Sequence, residues 1–188
     1  MSSAAELTLE YLHECFEPDY ENGLLHWKER PRHHFRTEQG WKYFTSQFAN
    51  KPVSALKNGY YYARVRVLGC PQRKCLLLHR VLYQMYYDKT LNLDTQIDHI
   101  DGNSMNNSII NLRECSNTQN QWNSKKKKTN TTGVKGVILV KDRPRKYRAT
   151  VKHVGKAYCK YFYTLEEAEV WVKQKRKELH GEFANDGE

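Results

Sequence analysis

The chain has 188 residues and carries 31 lysines and arginines against 21 aspartates and glutamates, a net charge of +10. This length accommodates one ordinary domain or two small ones. The start has neither the basic nor the apolar region of a signal peptide, and no apolar run is long enough to span a membrane. Five scattered cysteines, an odd number, are typical of a reducing setting. We therefore expect a cytoplasmic protein that does not bind a membrane.

The positive charge is concentrated toward the end of the sequence. Up to Ser124 there are 14 basic and 13 acidic residues, a net charge of +1, whereas residues 125–188 have 17 and 8, a net charge of +9. This asymmetry is typical of a catalytic part joined to a part that grips a polyanion. The alternative is a basic surface that only keeps the protein in solution.

In the first third of the chain, hydrophobic spacing predicts a short helix over 8–16, with Leu12, Cys15 and Phe16 on one stripe. A hairpin turn at Asn22-Gly23 follows. The segment 30–50 interleaves basic and aromatic residues and reads as irregular. It is either a loop that faces nucleic acid or a loop whose aromatic rings fill the core.

The middle of the chain is punctuated by turns. Asn58-Gly59 predicts a turn into an alternating strand over 60–67, and a second turn covers 69–74. A helix is predicted over 79–87, and strands over 96–100 and 112–115. The predicted buried residues of the helix are Val81, Leu82, Met85 and Tyr86. Ser116 and Gln119 form a capping box that opens another short helix.

The last third of the chain predicts a small domain of its own. Residues 125–132 lack periodicity and read as a basic linker. Three strands are predicted over 134–140, 146–152 and 156–162. Thr164 then caps an amphipathic helix over 165–180, with Ala168, Trp171, Val172 and Leu179 facing inward.

The stretch Gln96-Ile-Asp-His-Ile-Asp-Gly-Asn103 carries the chemistry that stands out most. It places the carboxylate of Asp98 beside the imidazole of His99, and the amides of Asn111 and Asn120 follow at intervals. Carboxylate and amide oxygens suit a hard cation, and an imidazole suits a general base. In a basic chain this order indicates metal-assisted hydrolysis of nucleic acid. The alternative is an Asn-rich turn with an incidental Asp-His pair.

A strand–loop–strand–helix unit is expected to bring the site residues together. Asp98 would supply an anionic oxygen to the metal and Asn120 a neutral one. His99 would act as the base, and Asn111 would hold the loop or orient His99. Other polar residues weigh less. His13, His33 and His34 are predicted to lie on the surface. His79 either contacts DNA or forms a hydrogen bond inside the fold, and the structural role is favoured. Cys70 and Cys75 are more typical of a hairpin with two thiols than of half a zinc site.

Five motifs resemble the HNH endonuclease family, close to its homing and free-standing phage-type members. They are Leu78-His-Arg80, Ile97-Asp-His-Ile-Asp-Gly-Asn103, Asn106-Asn107, Asn111-Leu-Arg113 and Gln119-Asn120. The resemblance implies a ββα-metal fold in which Asp98 and Asn120 bind the metal, His99 activates water and Asn111 supports the loop. An asparagine in the place of Asn120 occurs in the homing branch.

The end of the chain resembles the Apetala2-type DNA-binding domain of plant ethylene-response factors, which also occurs fused to HNH nucleases. The matching segments are Lys135-Gly-Val137, Tyr147-Arg-Ala-Thr-Val151, Phe162-x-Thr-x-Glu-Glu-Ala168 and Leu179-His-Gly-Glu-Phe-Ala184. The resemblance implies that one face of a three-stranded sheet enters the major groove. The residues expected to face DNA are Lys135, Thr150, Lys152, Lys156 and Tyr158, and the linker lysines Lys125, Lys126, Lys127 and Lys128 are expected to contact phosphates.

The sequence patterns predict an α+β protein with a linker over 125–132 and a three-stranded antiparallel sheet plus one helix over 133–188. The HNH resemblance implies that residues 1–124 form a ββα-metal (HNH) nuclease domain with an N-terminal leader region. We expect a homing-type endonuclease that cuts double-stranded DNA with one Mg²⁺ or Mn²⁺ and no small-molecule cofactor. The rival is a non-catalytic DNA-binding regulator on a dead nuclease scaffold. Because residues 98–120 precede the linker, truncation after Ser124 is expected to leave weak nicking activity.

Overall fold

The computed structural model describes residues 8–65, 74–92 and 94–187. These residues form two compact units, one ending at Glu114 and the other beginning at Cys115. Each unit combines short helices with small antiparallel sheets. In the described part of the chain, no helix has the length and apolar character needed to cross a membrane.

The first unit begins with a helix and a hairpin. The side chain of Thr8 accepts a hydrogen bond from the backbone of Tyr11 and so caps α1 (Leu9–Cys15), where Leu12 and Cys15 are buried as predicted. Two antiparallel strands follow, β1 (Phe16–Asp19) and β2 (Leu24–Trp27). The hairpin prediction is thereby confirmed.

The segment 30–50 is helical, and the prediction of an irregular loop was wrong. It contains a 3-10 helix, Arg32–His34, and the α-helix α2, Glu38–Phe48, which the Thr37 side chain caps. The aromatic residues at 41, 44 and 48 share one face of α2. The ring of Phe44 packs against the main core, so this part of the segment follows the core-filling alternative.

Three short strands and a helix continue the first unit: β3 (Leu56–Lys57), β4 (Tyr60–Val65), β5 (Lys74–Leu77) and α3 (Leu78–Tyr86). Positive φ angles at Asn58 and Gly59 form the predicted turn. Tyr86 was wrongly predicted to be buried, because Tyr83 faces the interior and the Tyr86 ring is half exposed. The predictions for residues 66–73 lie outside the described residues.

The first unit ends with a strand pair that carries the Asp-His motif. β6 (Gln96–His99) and β7 (Leu112–Cys115) are neighbours in a two-stranded sheet, as predicted, and a 3-10 helix, Ile109–Asn111, leads into β7. Their apolar residues belong to a second cluster of buried side chains, which consists of Tyr83, Leu91, Ile97, Ile109 and Leu112. The Asp-His motif therefore leaves a strand that is anchored by burial.

The second unit contains a three-stranded antiparallel sheet and one long helix, as predicted. Its elements are α4 (Asn117–Trp122), β8 (Val137–Leu139), β9 (Tyr147–His153), β10 (Lys156–Phe162) and α5 (Leu165–His180). The strand order is β10-β9-β8, and both predicted capping boxes are present. β8 begins later than predicted because Gly136 has a φ of 81° and lies against the carbonyl oxygen of Thr150.

The boundary between the units precedes α4, whereas the predicted boundary follows it. The predicted linker also packs inside the second unit. The backbone N–H of Lys126 donates to Gly187, and the side-chain amide of Asn130 donates to the carbonyl of Val134 at 2.9 Å. The functional division into a nuclease domain, a linker and a DNA-binding domain stays a prediction.

Candidate functional site

His99 ends β6 as a buried side chain with a defined ring orientation. Its Nε2 lies 2.9 Å from Oδ1 of Asn107, and both residues are buried. An amide oxygen only accepts hydrogen bonds, so the assigned arrangement places the proton on Nε2. In that tautomer Nδ1 carries the lone pair and is the basic nitrogen of the ring. Asn107 thus holds the ring of His99 in this orientation.

His79 packs beside His99 in the same unit. Their ring centroids lie 5.0 Å apart in an edge-to-face arrangement, and the ring of Tyr60 lies 6.3 Å from His99. Burial, together with the neighbouring His99 and Arg80, lowers the pKa of His79 to about 3. His79 is therefore neutral at pH 7, which supports the structural role predicted for it.

Asn111 closes the loop that follows His99. Its side-chain nitrogen donates to Oδ1 of Asp101 at 3.0 Å and to the backbone carbonyl of Asn106 at 2.7 Å. Its Oδ1 accepts from the backbone N–H of Asp101 at 3.1 Å. Of the two roles predicted for Asn111, these contacts favour holding the loop.

The hairpin of β1 and β2 supports the same loop from outside. The backbone N–H of Ile109 donates to the carbonyl of Tyr20 at 2.9 Å. Gly23 has a φ of 66°, and a Cβ there would lie 2.3 Å from the carbonyl carbon of Asn107. Any side chain at position 23 would therefore displace Asn107 and, through it, the ring of His99.

Asp98 is buried and held by an arginine from the neighbouring strand. Nε and Nη2 of Arg113 both donate to Oδ2 of Asp98, at 3.1 and 2.9 Å. A carboxylate fixed in this way is an oxygen donor of the type that hard cations prefer. Neither Arg113 nor Asn107 was predicted to have a role of its own. Both stand in motifs that were recognised, but their partners become evident only when the loop is folded.

Asn120 lies half-buried on α4 in the second unit. The position of this six-residue helix is fixed at its end by aromatic stacking. The indole of Trp122 lies parallel to the ring of His180 at a centroid distance of 4.4 Å, and His153 lies 4.9 Å from the same indole. The arrangement of Asn120 relative to Asp98 stays a prediction.

Lys135 forms hydrogen bonds at the carboxyl end of α4. Its ammonium donates to the carbonyls of Trp122 and Asn185 at 2.9 Å each, and also to that of Ser124. Burial lowers the pKa of Lys135 to about 8, with a smaller contribution from nearby Arg176. Three carbonyls occupy the three donors of the ammonium. This favours a structural role for Lys135 over the predicted contact with DNA.

The remaining predicted sheet residues do not share one face. The register pairs Thr150 with Cys159 and Lys152 with Ala157, whereas Tyr158 pairs with Val151 and Lys156 with His153. Directly opposed residues project to the same side of a sheet. Val151 is in the core, so Thr150 and Lys152 project away from the helix while Tyr158 and Lys156 project toward it. The ammonium of Lys175 on α5 accordingly lies over the Tyr158 ring.

The prediction that these four residues lie on one face was therefore wrong. Counting alternate residues assigns faces within a strand, but only the turn fixes which residues are opposed across the hairpin. Contacts of Thr150, Lys152, Lys156 and Tyr158 with DNA stay predictions, as do those of the linker lysines Lys125, Lys126, Lys127 and Lys128, which are exposed.

One cluster of potential metal ligands lies elsewhere in the first unit, at Glu14, His33 and His34. The prediction that His34 lies on the surface was wrong, because it is buried and its Nε2 lies 2.7 Å from Glu14. Nε of Arg30 donates to its Nδ1 at 3.3 Å, which leaves the proton on Nε2, shared with Glu14. Both ring nitrogens of His34 thus make hydrogen bonds within the protein.

Comparisons with known proteins identify the central part of the chain. Residues 76–122 match the HNH endonuclease family. The chain is 43% identical over 88 residues to Protein 3.8 of Escherichia phage T7, a match that covers 47% of this chain and 72% of that protein. It is 33% identical over 108 residues to an uncharacterized HNH endonuclease of Acanthamoeba polyphaga mimivirus, covering 57% of this chain and 54% of that protein.

The chain spans about half the length of the mimivirus protein. No solved structure matches it, and no comparison supports the Apetala2-type resemblance. Glu14, His33 and His34 lie outside the matched segment, whereas Asp98, His99, Asn107, Asn111, Arg113 and Asn120 lie inside it. The chain belongs to the same protein family as Protein 3.8 of phage T7, and it contains an HNH endonuclease domain.

Proposed function

We propose that this protein is a metal-dependent endonuclease that hydrolyses phosphodiester bonds in double-stranded DNA. The observation that carries the proposal is the bond between His99 and Asn107, which leaves Nδ1 as the basic nitrogen of the ring. This histidine follows a buried carboxylate held by Arg113, within the segment that matches the HNH family. A fixed base beside a fixed oxygen donor is what hydrolysis by water requires.

The residues of the site divide the work. His99 takes a proton from the attacking water at Nδ1, and Asn107 keeps the ring in that orientation. Asp98 and Asn120 would hold one Mg²⁺ or Mn²⁺ in the ββα-metal arrangement that the HNH resemblance implies. Their carboxylate and amide oxygens suit such an ion. When bound, the ion supplies charge neutralisation at the phosphate and at the leaving 3′ oxygen.

We further propose that the second unit binds the DNA outside the cleavage site. Residues 125–188 carry a net charge of +9, and the outer face of β9 and β10 presents Thr150 and Lys152. Strands of other DNA-binding proteins read the major groove in this way. The Apetala2-type resemblance and the homing type of specificity both belong to this proposal.

Incubation with supercoiled plasmid and genomic DNA, with Mg²⁺ and with a chelator, tests the proposed activity. We expect cleavage in Mg²⁺ and none in the chelator. Sequencing of the cut DNA ends shows whether cleavage is site-specific. Intact DNA in Mg²⁺ and in Mn²⁺, from a protein that still binds DNA, would instead favour a DNA-binding regulator.

Asn107→Ala is expected to lower kcat by about 10- to 100-fold, because the ring of His99 loses its orienting partner; loss of an orienting partner in metal sites has effects of that size. KM should change little, since the amide does not bind DNA. Asn107→Asp keeps an acceptor for Nε2 and should restore most of the rate. Steady-state cleavage kinetics measure these parameters, with exposed Asn92→Ala as the matched control. An Asp variant as slow as the Ala variant would contradict the orienting role.

Neutralising Lys125, Lys127 and Lys128 with glutamine is expected to weaken DNA binding on every sequence alike, because lysines in this segment meet phosphates rather than base edges. Each lost contact should flatten the plot of log affinity against log salt by about 0.9. Lys126 is left intact, because its ammonium donates to Gly133. Salt titrations on duplexes of different sequence measure the slope. Lys173→Gln, which removes an ion pair within α5, is the control.

A further inference from the structure

A cavity of about 560 Å³ opens in the first unit, away from the residues of the proposed cleavage chemistry. It lies among α2, residues 52–55 and β4. Aromatic rings and arginines form much of its lining, and none of the lining residues that the structure describes is acidic. Its volume falls in the range of about 300–1,000 Å³ that is typical of small-molecule sites.

The aromatic wall of the cavity comes mainly from α2. The ring of Phe48 stacks on that of Phe44 at 5.5 Å, and Phe44 in turn packs edge-on against Trp27 at 5.3 Å. Tyr43 stands at the rim with 64% of its surface exposed. Rings that are anchored on one side and open on the other are suitable platforms for stacking a base.

The arginines of the cavity fall into two groups. Arg30 is buried, donates to His34 and lies over the rings of Phe35 and Phe44, so its charge is used within the protein. Arg36 and Arg64 are exposed, and the guanidinium of Arg64 lies over the ring of Tyr62 at 5.3 Å. These two outer cations match the charge of a phosphate group.

Strand β4 connects this cavity to the proposed base. Tyr60 lies beside His99, while Tyr62 and Arg64 of the same strand line the cavity. These alternate residues project from one face of the strand, about 6.6 Å apart in succession. A row of two tyrosines and an arginine therefore leads from His99 to the aromatic wall.

We propose that the cavity binds one unstacked nucleotide of the DNA strand, with its base against the rings of α2 and its phosphate on Arg36 and Arg64. The inference rests on the proposed function, since it takes the occupant to be part of the DNA substrate. The cavity would give the first unit a second recognition element, which distinguishes a nucleotide that has left the DNA double helix from a base-paired nucleotide. A fully stacked duplex cannot place a base in the cavity.

The test is a binding comparison between two duplexes in a chelator, so that no cleavage occurs. One duplex carries a single bulged 2-aminopurine nucleotide, and the other is fully paired with the same flanking sequence. We expect the protein to bind the bulged duplex more tightly and to change the fluorescence of the bulged base through stacking. Loss of one stacking contact corresponds to roughly 5- to 150-fold weaker binding.

Tyr43→Ala and Arg64→Gln are the test variants, because both side chains are exposed and their loss leaves the core intact. Each substitution should lower the affinity for the bulged duplex until it approaches the affinity for the paired duplex. Tyr87→Ala and Lys51→Gln change exposed residues of the same unit that do not line the cavity, and they should bind as the unchanged protein does.

The result that overturns the proposal is equal affinity of the unchanged protein for both duplexes, or an undiminished preference in both test variants. Plasmid cleavage in Mg²⁺, measured in parallel, separates this failure from that of the endonuclease. Cleavage without a preference for the bulge rejects the cavity proposal alone. A preference that the test variants lose, without any cleavage, supports the cavity proposal and rejects the endonuclease.

Discussion

His99→Ala is expected to lower the rate of DNA cleavage by about 10²- to 10⁴-fold, the contribution of a well-placed general base. DNA affinity should stay within a few fold, because His99 is buried and acts on water rather than gripping the polyanion. Single-turnover cleavage with the protein in excess measures the chemical step, and anisotropy in a chelator measures binding.

His33→Ala is the matched control for this variant. It removes an exposed histidine of the same unit that lies outside the segment matching the HNH family. Its cleavage rate should equal that of the unchanged protein. A His99→Ala protein that folds, binds DNA and still cuts at a near-normal rate would show that another group removes the proton from water.

Truncation after Ser124 is expected to abolish cleavage, which differs from the weak nicking that the sequence predicted. The cut removes Lys135, His180 and Asn185, which hold the end of α4. Six helical residues do not form a stable helix by themselves. Asn120, the proposed second metal ligand, would therefore lose its fixed position. Plasmid nicking at low salt is the suitable assay, since there the lost charge matters least.

Truncation removes both the residues that hold α4 and most of the positive charge. Lys135→Met tests the first effect with little of the second. It leaves the rest of residues 125–188 in place but removes three hydrogen bonds to carbonyls. One charge-assisted hydrogen bond contributes about 1.5–3 kcal/mol, so about tenfold less cleavage or more is expected. The exposed Lys141→Met should cut normally. A truncated protein that nicks DNA at the full-length rate would contradict this dependence on the second unit.

Much of the fold follows from local signals in the sequence. The capping boxes at Ser116 and Thr164 start α4 and α5 where they were predicted, because a capping box depends on only two residues, three positions apart in the sequence. α2 was missed because Gly40 and several polar residues obscure the aromatic stripe on its inner face. The helical spacing of the aromatic residues at 41, 44 and 48 was present, but the mixed basic and aromatic composition of the segment 30–50 favoured a loop.

The candidate site was predictable in its residue types but not in its contacts. The Asp-His pair and Asn111 stand in a short motif, whereas the hydrogen bond that His99 donates to Asn107 depends on how the loop closes. Lys135 was assigned to DNA from its position in the Apetala2-type resemblance. Only the folded chain places its ammonium under the carbonyls of α4. Long-range partners of this kind are set by tertiary packing, which residue spacing does not encode.

The most direct test compares two proteins, the unchanged chain and a double variant, Asp98→Asn with His99→Ala, purified in parallel. Both are incubated with supercoiled plasmid in Mg²⁺ and in a chelator, and conversion to nicked and linear DNA is measured. We expect cleavage by the unchanged chain in Mg²⁺ and none by the double variant, although both bind DNA. Equal cleavage by the two proteins would contradict the assignment of hydrolysis to Asp98 and His99.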